Sequence, residues 1–490
     1  MQKGKGLTVI SNLIWRFAER SGAQIVAFLV SIILARILDP EAYGTISLIT
    51  VFTTILQVFV DSGLGNALIQ KKDADDLDFS SVFFINVGFC LILYILIFCF
   101  APVIANFYDD HSLTAIIRVL SITIIISGVK NVQQAYVSKS LMFKKFFYSS
   151  LSGTIGAAII GISLAFCGAG VWALVAQQVF NVLINTIVLW CTVKWRPQKR
   201  FSIHRVKGLF SFGWKLLVSS LLDTIYTNIR QLIIGKMYSA SDLAFYNQGR
   251  QFPNVIVSNI NSSIDSVLLP VLSKEQDSQK ALKLMTRRAI TMSTYIMAPL
   301  MMGIAFTAPA VVELVLTEKW LPCVPYLRIF CITFMFYPIH TANLNAIKAM
   351  GRSDLFLRLE IIKKAIGMIL LFSTMWFGVM AMAYSLLVSS VVSQIVNTWP
   401  NRSLLNYSYL EQLKDILPSI CLAVFMGGCV SLIEILNQGA LITLVAQIIL
   451  GIIIYLAGSK ILKIESFNYL WDIMKKILAN NVFKKKKGTI

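Results

Sequence analysis

The chain has 490 residues, 57% of them apolar and only 14% charged, with a formal net charge of +20 and a mean hydropathy of +0.72. Soluble domains carry about 25% charged residues, so the composition excludes a soluble globular protein and points to a polytopic membrane protein. The Lys and Arg excess lies in short loops between apolar runs, the positive-inside pattern, which excludes a nucleic-acid partner.

A helix rises about 1.5 Å per residue and needs about 20 residues to cross the hydrocarbon. On that measure the sequence predicts an all-α fold of about 14 transmembrane helices. They lie at 12–38, 41–67, 79–105, 113–138, 147–167, 171–194, 209–236, 242–271, 284–309, 324–348, 355–377, 379–399, 416–436 and 440–461. Residues 1–11 are too short and polar for a cleaved signal peptide. The breaks are marked by Pro, Gly or charge: Asp39-Pro40, Gly168 to Gly170, Pro197, Pro322 to Pro325, Gly378, Pro400 and Gly439.

Alternate loops are basic, carrying Lys139, Lys144 and Lys145, then Lys194, Arg196, Lys199, Arg200, Arg205 and Lys207, then Lys274 to Arg288, then Lys348, Arg352 and Arg358. The intervening loops are short or acidic, with Asp39 and Glu41, Asp109 and Asp110, Glu313 and Glu318. Both termini are therefore expected in the cytoplasm. After Lys463, Phe467, Leu470, Trp471, Met474, Ile477 and Leu478 recur at helical spacing beside Lys475 and Lys476. This basic cytoplasmic tail (463–490) reads either as an interfacial helix attracted to anionic membrane lipids or as a solvated tail.

Sites of covalent or metal chemistry are not indicated. The eight cysteines are scattered without a Cys-x-x-Cys pair, and His111, His204 and His340 lie far apart. No G-x-x-x-x-G-K-[ST] loop is present. No cofactor, metal ligand or catalytic residue is expected. Asn401-Arg-Ser and Asn406-Tyr-Ser fit glycosylation sequons but fall on the side assigned to the cytoplasm.

The two halves resemble each other. Residues 36–44 align without gaps against 236–244, and the same offset pairs Thr54 with Asn254 and Asp61 with Asn261. Six spans separate the copies, so both enter the membrane in the same sense, a parallel repeat of the kind found in alternating-access transporters. The expected organisation is an N-lobe at 1–200, a C-lobe at 201–402 and two added spans at 403–462.

Polar stripes concentrate on the paired helices. The first span carries Arg16, Glu19, Arg20 and Gln24; the second Thr50, Thr53, Thr54, Gln57, Asp61; the seventh Asp223, Tyr226, Thr227, Arg230. The eighth carries the longest stripe: Asn247, Arg250, Gln251, Asn254, Ser258, Asn261, Ser262 and Asp265, recurring every three or four residues. Lipid cannot satisfy such groups, so these helices must face water, a ligand or polar partners. The candidate cavity residues are Arg16, Arg20, Gln24, Gln57, Asp61, Asp223, Tyr226, Arg230, Asn247, Arg250, Gln251, Asn254, Asn261 and Asp265. Arg16 can also snorkel to the headgroups, as Arg36 and Lys236 are expected to do. Arg20, Arg230 and Arg250 need an internal carboxylate or a phosphate-bearing substrate. Gln177, Gln178, Asn181 and Asn185, and His340 with Asn343, read individually as interhelical hydrogen bonds.

The run Leu34-Ala-Arg-Ile-Leu-Asp-Pro-Glu-Ala-Tyr-Gly44 resembles the first-hairpin signature of polysaccharide transporters, in the superfamily that also holds lipid II flippases and multidrug extrusion proteins. Ser211-Phe-Gly-Trp-Lys215, Tyr246-Asn-Gln-Gly-Arg250, Glu318-Lys-Trp320 and Ala349-Met-Gly-Arg-Ser-Asp354 are similar to later motifs, nearest the colanic and teichuronic acid exporter branch. One departure is Ser239-Ala-Ser-Asp242, where the family has Gly-Pro-Glu. The resemblance implies a flippase for a polyprenyl-diphosphate-linked oligosaccharide in a bacterial inner membrane, with two six-helix lobes around a cationic cavity. It also implies a polysaccharide polymerase or assembly proteins as partners. The alternatives are a cation-coupled multidrug antiporter, a membrane glycosyltransferase or a non-transporting scaffold. An antiporter predicts an apolar, aromatic or acidic cavity, and a glycosyltransferase predicts a large outer loop.

Overall fold

The computed structural model describes residues 22–61, 64–436, 439–472 and 475. Every regular element among these residues is helical. Eleven helical segments are long and apolar enough to cross a membrane, and the chain is a multi-pass membrane protein. Three further expected spans are helical but fall outside that count. They are α1 (Gly22–Ile37), whose described part is short, and α9 (Ile203–Met237) and α15 (Ser353–Thr374), which carry several charges. The surface confirms the solvent: on α18 (Ala440–Ile461), Ile448, Ile449, Ile452 and Ile453 are all more than half exposed. So much contiguous bare aliphatic surface belongs against lipid.

By packing, the chain divides into two compact units, Met1–Ala244 and Phe245–Ile490. In the first, α2 (Pro40–Asp61) and α3 (Leu64–Gln70) pack with α4 (Asp76–Phe107), α5 (Ser112–Leu120) and α6 (Ile122–Lys139), while α7 (Phe143–Phe166) lies along α8 (Val171–Thr192). Glycines set that last approach. A Cβ at Gly153 would come 2.9 Å from the Asn181 carbonyl oxygen, and one at Gly161 would come 2.9 Å from Gln177 Cβ. Small residues at a membrane helix contact let the backbones close up. Helix α9 packs against α2, α3 and α4 within this unit.

Both ends of α9 are tied to α4. At its C-terminal end, Lys236 Nζ lies 2.7 Å from Asp109 Oδ2, an ion pair where the sequence suggested a snorkelling lysine. At the other end, Arg205 lies 2.7 Å from Asp75 and 3.3 Å from the buried Asp78, which also meets Lys71 at 2.6 Å. Asp75 caps α4 in a reciprocal capping box with Asp78. The Asp78 backbone N–H, and then Arg205, hold the Asp75 carboxyl below its ordinary value. The connection from α8 to α9 lies over the same helix start: Trp195 Nε1 donates to Asp76 Oδ1, and the Gln198 N–H to Ser80 Oγ.

The hairpin of the repeat recurs in the fold. Helix α1 ends at Ile37 and α2 begins at Pro40; α9 ends at Met237 and α10 (Ala240–Lys274) begins at Ala240, each 200 residues later. The Ser-Ala-Ser-Asp departure keeps the turn length, because Ser239 and Asp242 exchange capping hydrogen bonds of 3.1 and 3.2 Å. Gly44 stands so close to Ala240 that a Cβ would overlap its backbone carbonyl.

In the second unit, α11 (Gln279–Phe306) packs against α13 (Val324–Met335), α14 (Tyr337–Ala349) and α17 (Tyr409–Ser431), with α16 (Val379–Leu404) beside α13, α14 and α15. Asn343 and Gln412 exchange amide hydrogen bonds of 2.9 and 3.0 Å, and Asn401 donates to Asn343 Oδ1 at 2.7 Å. All three are buried. With Asn397 bonded to His340 at 3.2 Å, these groups serve as interhelical glue.

Candidate functional site

Helices α2, α6 and α8 line an open cavity of about 330 Å³ in the first unit. Thr53, Thr54 and Gln57 line it from α2, Thr123 and Ser127 from α6, and Gln177, Gln178 and Asn181 from α8. The spacing explains the display, since residues three and four apart on a helix share a face. Helix α7 packs closely behind α8, with Gly161 against the Gln177 stem and Ser149 donating to Asn185 Oδ1 at 3.3 Å. Among the described residues the lining is hydroxyls and amides, with Val182 as its apolar member and no aromatic or charged side chain.

The amides differ in their engagement. Gln178 Nε2 donates to Thr50 Oγ1 at 2.9 Å, which joins α8 to α2. Gln177 and Asn181 make no side-chain hydrogen bond among the described residues and remain available to a guest in the cavity.

Toward the end of α2 the column of polar groups continues to a carboxylate. Asp61 Oδ1 accepts from Gln57 Nε2 at 3.2 Å and from Asn131 Nδ2 at 2.9 Å. Lys130 lies close enough to act on it electrostatically. Gly65 makes room for this cluster, because a Cβ there would stand 2.9 Å from Asn131 Oδ1. The α6 contribution (Thr123, Ser127, Lys130 and Asn131) was not singled out from the sequence. Its signal was present as polar residues at helical spacing inside an apolar span.

The other candidate residues are distributed as follows. Arg16 and Arg20 lie outside the described residues. Gln24 is half-buried on α1, Asp223 is exposed on α9, and Tyr226 and Arg230 are half-buried on the same helix. None of these four lines the α2–α6–α8 cavity. In the second unit, Asn247, Arg250, Gln251, Asn254, Asn261 and Asp265 all lie on the single helix α10. Its first half packs tightly, with Gly249 so near Leu327 N that a Cβ would stand 2.8 Å away. Along the helix Asn254, Ser258, Ser262 and Asp265 are exposed, while Arg250 and Asn261 are half-buried. Arg250 makes no ion pair or hydrogen bond among the described residues. No cluster of His, Cys, Asp or Glu able to hold a metal occurs among them either.

The profile of a family described as polysaccharide biosynthesis protein matches residues 33–325. The chain is 26% identical over 384 residues to the teichuronic acid biosynthesis protein TuaB of Bacillus subtilis (strain 168), covering 76% of this chain and 78% of that protein. It is 23% identical over 393 residues to the lipopolysaccharide biosynthesis protein WzxC of Escherichia coli (strain K12), covering 79% and 77%. Its fold is that of the lipid II flippase MurJ in an inward closed conformation, with a TM-score of 0.74 at 16% identity over 92% of this chain and 98% of that one. An inward-facing multidrug transporter follows at a TM-score of 0.60 and 14% identity, over 78% and 94%.

Proposed function

Because the chain belongs to the polysaccharide biosynthesis protein family, we propose that it is a flippase. It carries a polyprenyl-diphosphate-linked oligosaccharide, a repeat unit of lipopolysaccharide O-antigen, capsule or exopolysaccharide, across a bacterial inner membrane by alternating access. The observation that carries this reading is the α2–α6–α8 cavity with its unengaged amides, Gln177 and Asn181. Sugars present dense hydroxyl donors and acceptors, and amide and hydroxyl side chains match both. A multidrug antiporter would place aromatic or acidic groups there, and the lining contributed by the described residues has neither.

In this reading Arg250 takes the diphosphate, since a guanidinium binds phosphate by paired charge-assisted hydrogen bonds. Arg16, Arg20 and Arg230 supplement it, and Gln24, Tyr226, Asn247, Gln251, Asn254 and Asn261 hydrogen-bond the glycan. Asp61, held by Gln57 and Asn131, couples transport to a cation gradient, with Asp223 and Asp265 as the other acidic members. The chain is assigned 14 spans in two six-span lobes, 1–200 and 201–402, with two added spans and both termini cytoplasmic. A polymerase or assembly protein receives the product.

Reconstituted protein should move a fluorescent polyprenyl-diphosphate oligosaccharide between leaflets, scored by protection from a membrane-impermeant quencher. Proton-driven extrusion of cationic dyes with no movement of the glycolipid would refute the proposal.

A further inference from the structure

Two prolines open the same gap, one in each unit. A proline has no N–H, so the carbonyl four residues before it loses its helical donor. Pro102 does this to Phe98 inside α4. Pro309, in the first turn of α12 (Ala308–Val315), does it to Ala305 near the end of α11. The two runs, Phe98-Cys-Phe-Ala-Pro102 and Ala305-Phe-Thr-Ala-Pro309, share the Ala-Pro ending.

Each orphaned carbonyl is met by an arginine from a different helix. Arg118 Nε on α5 donates to the Phe98 carbonyl at 3.2 Å, and Arg328 Nε on α13 donates to the Ala305 carbonyl at 3.1 Å. The Arg118 guanidinium also lies 4.2 Å from the centroid of the Phe98 ring, which adds a cation–π attraction to the docked position. Neither arginine makes an ion pair or a further hydrogen bond among the described residues.

A third proline supplies the contrast. Pro299 frees the Tyr295 carbonyl within α11, and Tyr455 Oη on α18 donates to it at 2.8 Å. Both tyrosines are buried, which shuts out competing water and makes a permanent clasp. Arg118 is only half-buried and Arg328 is exposed, so each guanidinium can trade its carbonyl for water or a lipid headgroup. A Ser or Thr hydroxyl on the kinked helix itself would follow the carbonyl through every bend. A donor on a neighbouring helix reaches it only while the two helices keep this arrangement.

We infer that Arg118 and Arg328 are positioning residues for transport, each a releasable staple that holds a proline kink in the bend seen here. The inference rests on the alternating-access reading and adds to it the points at which α4 and α11 bend. Lipid cannot replace the missing N–H, so an unstapled carbonyl disfavours this bend. A charge-assisted hydrogen bond shifts a balance between two bends by roughly tenfold or more. Releasing the staple frees the kink for the other half of the cycle.

The test uses full-length protein in proteoliposomes and the fluorescent polyprenyl-diphosphate oligosaccharide, with the thermal midpoint measured alongside. Arg118→Ala and Arg328→Ala should each lower kcat about tenfold and leave KM within about twofold. Arg118→Lys keeps a charged donor for this single bond and should recover most of the rate. Pro102→Ala returns an N–H to the Phe98 carbonyl. Arg118→Ala should therefore lower the thermal midpoint of the wild type and leave that of Pro102→Ala unchanged.

An equal loss of stability with and without Pro102 would overturn the inference. So would unchanged kinetics in both alanine variants, or a raised KM at unchanged kcat, the mark of a substrate contact. If Arg118→Ala does not accumulate, the double variant with Pro102→Ala should, because the carbonyl has its own donor again; its failure also overturns the inference. A wild type that transfers no glycolipid removes the flippase reading, and the thermal cycle then decides the staple alone.

Discussion

Two arginines in the second unit separate a ligand contact from a structural one. Arg287 on α11 makes two hydrogen bonds of 2.9 Å to Asp415, a carboxylate only 11% exposed that also accepts from Tyr407 at 2.7 Å. Arg250 has no such partner among the described residues. Arg287→Ala strands the Asp415 charge on one remaining donor. Hydrogen bonds to charged groups contribute about 1.5–3 kcal/mol, and the 40% exposure of the Arg287 side chain places the loss near the lower end. Arg250→Ala breaks no hydrogen bond or ion pair among the described residues, so its effect on stability should stay within about 0.5 kcal/mol. Its effect on substrate should be larger: losing a charge-assisted contact of about 1.5–3 kcal/mol weakens binding roughly ten- to a hundredfold. Arg250→Lys should recover only part, because a point charge replaces a planar fork. The assay measures thermal midpoint in detergent and leaflet transfer per folded molecule for each variant. If Arg250→Ala unfolds like Arg287→Ala, or transfers glycolipid normally when folded, the assignment of Arg250 to the diphosphate is refuted.

Three further outcomes follow from the geometry. Gly65→Ala pushes on Asn131 Oδ1 and should displace the donor to Asp61; gradient-driven transfer should fall while downhill binding persists, and unchanged coupling would remove Asp61 from that role. Gly44→Ala drives a methyl into the Ala240 carbonyl, and overpacking of this kind costs about 1–3 kcal/mol, read as a lowered thermal midpoint. The Asp75 carboxyl is held below its ordinary 3.8, so its contribution to the tie between α4 and α9 is present above that pH and fades as pH falls through the lowered value. Hydrogen exchange over 193–205 should be flat from about pH 7 to about pH 5 apart from intrinsic rates, then rise in acid; a rise already near neutrality would contradict the assignment.

Much of the architecture was legible because apolar length and helical period are strong signals. The span read as 440–461 coincides with α18, and 242–271 lies inside α10. A charged helix end was read too short. Helix α17 begins at Tyr409 behind a Ser408 cap, where apolarity alone suggested 416. Charged turns extend a helix past the hydrocarbon, and seven residues add about 10 Å. Interruptions without punctuation were also hidden. Nothing in the sequence marks the break between α5 and α6 at Ser121, whose hydroxyl donates to the Ile117 carbonyl. Phe336 separates α13 from α14 because Pro338 sits in the first turn of α14, where its missing N–H is harmless. For the candidate site, the α2 stripe placed Gln57 and Asp61 on a polar face, but their partners on α6 depended on which helix packs there. Six separated spans can be arranged in many ways, and periodicity specifies a face without naming its neighbour.

The central claim is that the amide cavity in the first unit holds the glycan. Gln177→Leu with Asn181→Leu replaces both unengaged amides by near-isosteric apolar groups and breaks no hydrogen bond among the described residues. Each net hydrogen bond contributes about 0.5–1.5 kcal/mol, so the pair predicts roughly a tenfold loss. The decisive measurement is the initial rate of lipid-linked oligosaccharide transfer in proteoliposomes holding equal amounts of folded protein. The account predicts about a tenfold lower rate for the double variant at subsaturating substrate, with an unchanged thermal midpoint. An unchanged rate would contradict it.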